Sequence, residues 1–280
     1  MRVTHSIRAA VFTILLAMTA NAQAARRPYP PVTVARSELR TLTSAIAGRD
    51  YDIQVLLPNN FERDSTRRYP VLVVLDGQWD FKLVASIQGG LLYDKYTPDI
   101  LVVGITYPGE NPDYDALRAY DLTPVANANN TNGGGGKFLS FIEQELLPFV
   151  EKNYRADPRQ RYLQGNSLGG MFTLYTAFTK PGLFKGYIAS SPAVTTGNRA
   201  SFALESTYAA SHTALPGRMF IGVGALEGLT DPVREFIGVL QKRNYAELAL
   251  ETEVVSMEKH SGNKPEVYNR GLRFVFGGQP

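Results

Sequence analysis

The 280-residue sequence predicts an α/β fold, a doubly wound and mostly parallel sheet with helices on both faces. Three observations carry this. Residues 69–75 (YPVLVVL) and 100–106 (ILVVGIT) are near-continuous apolar, β-branched runs, as in strands buried on both sides. Strand-like and helix-like segments then alternate from Tyr51 to the end of the chain. Between strands, apolar residues fall at helical spacing, as at Phe138, Phe141, Ile142, Leu146, Phe149 and Val150.

In chain order, residues 51–57 (YDIQVLL) form a strand that ends at the Pro58-Asn59-Asn60 turn, with an earlier strand near residues 32–35 or around Leu39. After the two apolar runs, residues 107–136 read as one irregular stretch closing on four glycines, the length of a lid or binding loop. A helix over 138–153 follows, and Asp157-Pro158 turns the chain into a short strand at 161–164. A helix at 171–178 and strands at 186–189 and 219–224 come next. A helix at 232–243, a strand at 248–256 and a helix at 266–276 complete the pattern. There is no internal repeat and no second domain, so residues 25–280 read as one domain.

Residues 1–24 have the make-up of a secretory signal. Arg2 and Arg8 precede an apolar run at 9–19, and Ala22-Gln23-Ala24 is an A-x-A cleavage site. The run is too short to span a bilayer, which takes about 20 residues. The expected product is exported, periplasmic or secreted, with no membrane anchor after cleavage. Without the segment, 27 basic residues face 26 acidic ones, which leaves no nucleic-acid footprint. The absence of cysteine excludes disulfides and thiolate metal sites. With only His5, His212 and His260, no metal site is expected either.

Gly165-Asn166-Ser167-Leu168-Gly169 matches the G-x-S-x-G nucleophile elbow, between a strand and a helix as that motif requires. The bare pattern is common and its context gives it weight. Glycines two positions either side of the serine allow a sharp turn, and the helix N-terminus favours a developing oxyanion. Ser167 needs a base, and His260, in the loop after the last strand, fits better than His212 in its Ser/Thr/Ala-rich stretch. The acid belongs after the penultimate strand, where Glu227 is favoured over Asp231; Asp231 precedes Pro232 and suits a helix cap. The oxyanion donors expected are the backbone N–H groups of Leu168 and Gly77, with Gln78 adjacent.

Six segments carry a resemblance to the esterase family of α/β-hydrolases, and within it to the bacterial enterochelin or ferri-siderophore esterase-like group. They are YPVLVVLDGQ from Tyr69, RAYDLTP from Arg118, the glycine-rich helix start from Gly133, RYLQGNSLGGMF from Arg161, SSPA from Ser190 and HSGNKPEVYNRGLRFVF from His260. The resemblance implies an α/β-hydrolase fold and ester hydrolysis by Ser167, His260 and Glu227, with siderophore-type trilactones among the substrates. Asn166 and Lys259 depart from the histidine and glycine common in the group. Trp79 and Arg118 are candidates to hold an anionic aromatic ligand. The expected partner is a small-molecule ester, with no cofactor and no obligate protein partner. Competing readings are an acyltransferase, a feruloyl or acetyl polysaccharide esterase, and a non-catalytic binding protein on the same fold.

Overall fold

The apolar runs form the middle of an eight-stranded sheet, in which successive side chains feed two different cores. From β3 (Tyr69–Val74), Tyr69, Val71 and Val73 enter one core, and Leu72 and Val74 the other. From β4 (Leu101–Thr106), Leu101, Val103 and Ile105 enter the first and Val102 the second. A strand whose two faces are both covered has no polar side, which explains the unbroken apolar runs. The computed structural model describes residues 32–124 and 133–277. Val34–Pro280 is one compact unit that contains the whole sheet; the expected signal segment lies outside the described residues.

The strand order is β1-β2-β4-β3-β5-β6-β7-β8, where β1 is Ser37–Ser44, β2 Arg49–Leu56, β5 Ala156–Asn166, β6 Gly186–Ser190, β7 Ala214–Gly224 and β8 Ala246–Val255. β1 pairs antiparallel with β2, and β2 with β4; every other pairing is parallel. One face is covered by α1 (Gly77–Tyr93) and α8 (Lys264–Phe276). The opposite face carries α3 (Gly135–Phe141), α4 (Leu147–Tyr154), α5 (Leu168–Thr179) and α7 (Thr230–Arg243), with α2 (Tyr114–Leu122) and α6 (Thr196–Ala209) packed alongside. Among the described residues, no helix is long and apolar enough to cross a membrane.

The structure changes several local expectations. The first strand is Ser37–Ser44, around Leu39 and not at residues 32–35. The stretch at 107–136 is not irregular throughout, because α2 lies in it, started by the Asp113 carboxylate accepting from Ala116 N–H at 3.0 Å. Asp157-Pro158 sits inside β5. Tyr69 pairs with Ala156 but Val71 with Arg161, so the turn survives as a bulge, with Asp157 Oδ1 accepting from Arg159 N–H at 2.9 Å. The carboxyl ends of the parallel strands lie along one edge of the sheet, and their loops build the site.

Candidate active site

A single residue, Ser167, connects β5 to α5. Its backbone at φ 60° and ψ −116° lies outside the regions L-residues favour, a strain of about 1–3 kcal/mol that its surroundings must hold. Ser167 N–H donates to Ser190 O at 2.9 Å, while Ser167 O accepts from Met171 and Ala193 N–H at 2.9 and 3.0 Å. Space around the turn is scarce. A Cβ on Gly165 would collide with the Gly169 backbone, and one on Gly170 would come within 2.8 Å of Ser190 O. The second tight position is thus Gly170 more than Gly169, where the nearest atom, Asp76 Oδ2, is 3.3 Å away.

Leu168 and Gly77 open α5 and α1, so their N–H groups belong to first turns, which have no intrahelical acceptor. In α1 the Trp79 and Asp80 N–H groups both donate to Asp76 O, at 3.0 and 3.1 Å. Among the described residues, the Gly77 and Gln78 N–H groups have no acceptor. A Cβ built on Gly169 would lie 3.3 Å from Asp76 Oδ2 and 3.4 Å from Leu75 Cβ, so the two helix starts are close together.

Across the sheet, the loop after β7 is zipped to the loop after β8: Ala225 N–H donates to Val255 O and Leu226 N–H to Glu258 O, each at 2.9 Å. This brings Glu227 under His260, with Oε2 2.5 Å from the imidazole Nδ1. The Glu227 side chain is 4% exposed and that of His260 39%, so the carboxylate is buried while the ring stays accessible. The other carboxylate oxygen accepts from Gly224 N–H at 2.7 Å and Ser191 Oγ at 2.6 Å. With Nδ1 donating to the acid, Nε2 is the ring's free proton acceptor. Among the described residues, no hydrogen bond joins Ser167 Oγ to His260. Asp231 is elsewhere, 93% exposed in the first turn of α7 with Arg234 at 3.6 Å; the helix is capped at Leu229. His212 stacks on Tyr208 at 4.1 Å at the end of α6.

Arg118 and Trp79 meet at the Asp76-Gly77 turn. Arg118 grips Asp76 with two bonds of 2.7 Å, Nε to Oδ1 and Nη2 to Oδ2, both side chains being largely buried. Asp76 itself is left-handed at φ 55°. Those donors are therefore committed to bracing the turn, and the guanidinium lies over the Trp79 ring at 5.4 Å. Trp79 is 47% exposed, with Tyr114 edge-on at 6.1 Å. One turn along α1, buried Asp80 accepts from Lys264 Nζ at 2.8 Å and Tyr268 Oη at 2.5 Å. Burial raises this carboxyl above its usual range, against the opposing pull of Lys264.

The sequence alone assigns no role to Asp76, Asp80, Ser191 or Asn263, though the DGQ, SSPA and HSGN runs contain three of them. Among the described residues, no group of three or more His, Cys, Asp or Glu is placed to hold a metal ion.

The model of the Esterase family matches residues 44–261. The ferri-bacillibactin esterase of Bacillus subtilis is 28% identical over 265 residues, 87% of this chain and 90% of that protein. The apo-salmochelin esterase of Escherichia coli is 30% identical over 159 residues, 53% of this chain and 48% of that protein. Among solved structures, the BES protein from Bacillus cereus superposes with a TM-score of 0.78 at 29% identity, covering 88% of this chain and 97% of that one.

Proposed function

Because the chain belongs to the esterase family and is an ester hydrolase on an α/β-hydrolase fold, we propose that it cleaves carboxylic esters through an acyl-enzyme on Ser167. The observation that carries this is the buried Glu227 carboxylate 2.5 Å from His260 Nδ1, on the same strand-end edge as the strained Ser167 turn. His260 Nε2 takes the Ser167 Oγ proton as Oγ bonds to the ester carbonyl carbon. The carbonyl oxygen becomes an oxyanion facing the Leu168 and Gly77 N–H groups. The tetrahedral adduct collapses, the C–O bond to the alcohol breaks, and the leaving oxygen takes the proton from His260. Water, deprotonated by the same ring, then releases the acid and restores Ser167. Glu227 keeps its charge throughout and stabilises the imidazolium.

The substrate proposed is a siderophore-type trilactone. Support comes from the relatives named for siderophore esters and from the exposed Trp79 face beside the oxyanion turn, suited to stacking on an aryl group. Export is proposed from the composition of residues 1–24; a secreted product whose N-terminus maps near Ala25 is the expected result, and retention of residues 1–24 in the exported protein would overturn it. The enzymatic test is turnover of p-nitrophenyl butyrate, a ferric catecholate trilactone and a feruloyl ester, side by side. The proposal expects activity that vanishes in Ser167→Ala and a preference for the trilactone. Undiminished activity in the variant overturns the mechanism; a feruloyl preference overturns the substrate.

A further inference from the structure

Glu227 is longer by one methylene than the aspartate that could do its work, and it lies in a loop three residues beyond β7. Something must fix its added rotamer freedom. Resting on the catalytic reading above, the geometry points to Ser191 and Asn263 as positioning residues that lock Glu227, and through it His260, into working register.

Asn263 caps the start of α8, yet its side chain makes no capping bond to that helix. Asparagine at this position ordinarily accepts from the first-turn N–H groups. Here it is fully buried and turned the other way. Its amide N–H groups face Ser191 Oγ, Lys259 O and His260 O, each at 2.9 Å, and Glu227 Oε1 at 3.2 Å. Its Oδ1 accepts from Ser190 Oγ at 3.0 Å. The surroundings set the amide orientation, because a flipped amide would turn its oxygen toward a carboxylate and two carbonyls.

The direction of every bond follows. Ser190 donates to Asn263, Asn263 donates to Ser191, and Ser191 donates to Glu227 Oε1 at 2.6 Å. With Gly224 N–H added, Oε1 faces three donors and only Oε2 is left for His260. The bonds to Lys259 O and His260 O fix the backbone on either side of the His260 amide, so one buried side chain orders both acid and base. Ser191, at φ 40°, holds a left-handed backbone that aims its hydroxyl at the carboxylate.

The test uses the full-length protein with Ser191→Ala, Asn263→Ala, Glu227→Ala and the Ser191→Ala/Glu227→Ala double variant, assayed on p-nitrophenyl butyrate well below each Tm. Loss of a bond to a charged group predicts a fall in kcat of about tenfold or more for each single positioning change, with KM held within about twofold. In the Glu227→Ala background, Ser191→Ala should add no further loss. Unchanged kcat, a loss carried wholly by KM, or full additivity in the double variant overturns the proposal. Should Asn263→Ala fail to fold, Ser191→Ala and its double variant decide the matter alone. Ser167→Ala runs in parallel, and wild-type turnover by that variant overturns the catalytic reading itself, independently of how the Ser191 variants behave.

Discussion

Replacing Arg118 with methionine separates two roles for this residue, substrate anchor and brace of the Asp76-Gly77 turn. Its guanidinium makes two 2.7 Å bonds to Asp76, whose carboxylate is 4% exposed and sits at the left-handed residue preceding Gly77. Methionine keeps much of the length and removes the charge. Asp76 is then a buried carboxylate without its counter-ion, a loss of about 3–5 kcal/mol. In a domain of this size each kcal/mol lowers Tm by about 2–4 °C, so a fall of roughly 10 °C is expected. Urea unfolding and a thermal melt measure it, and steady-state kinetics on a neutral ester should register a drop in kcat as the Gly77 donor loses its support. The Asp76→Asn/Arg118→Met pair should recover part of the stability, since neither charge is then stranded. A Tm lowered by less than about 2 °C, which corresponds to less than about 1 kcal/mol at this size, with KM alone raised for anionic esters, would refute the bracing argument and return Arg118 to the substrate.

Two further perturbations probe the frame around the site. Gly165→Ala drives a methyl into the Gly169 backbone, which cannot rotate aside; we expect a stability loss of about 1–3 kcal/mol and a larger proportional loss of kcat, and wild-type values for both would refute the steric reading of the elbow. Asp121 on α2 is 1% exposed and accepts from Tyr51 Oη at 2.9 Å; burial raises its carboxyl above the usual range, opposed by Arg49. The native state then binds more protons than the unfolded chain, so this contribution is complete below the unfolded carboxylate value and is lost as pH rises through the native one. Asp121→Asn should flatten the decline of urea midpoints with rising pH in that window, and an unchanged slope contradicts the assignment.

Which elements the sequence disclosed follows from what each one buries. The runs at β3 and β4 are legible because both faces of each strand meet apolar partners. α2 and α6 are not, because the residues they bury include Asp121, Ser201 and Glu205, and the two carboxyl groups find their polar partners far away in sequence: Tyr51 and Arg49 for Asp121, Arg243 and Tyr245 for Glu205. A helix with carboxylates on its inner side has no apolar stripe to detect. α1 does bury Phe81, Val84 and Leu91 at helical spacing, but Asp76-Gly77 at its start and Gly89-Gly90 within it carry turn signals. In the candidate site, Ser167, Glu227 and His260 can be picked out by residue type and order, since each is named by a local motif or follows a strand. The supporting residues could not. Ser191 and Asn263 lie 72 positions apart and acquire meaning only when β6 and the start of α8 are brought together.

Ser167 is proposed as the one activated nucleophile, and a fluorophosphonate probe followed by peptide mass spectrometry tests this most directly. A single adduct on the peptide containing Ser167, absent in Ser167→Ala and formed about 10²-fold or more slowly in His260→Ala, is the predicted result. An adduct on another residue, or labelling of Ser167 at an undiminished rate without His260, would contradict it.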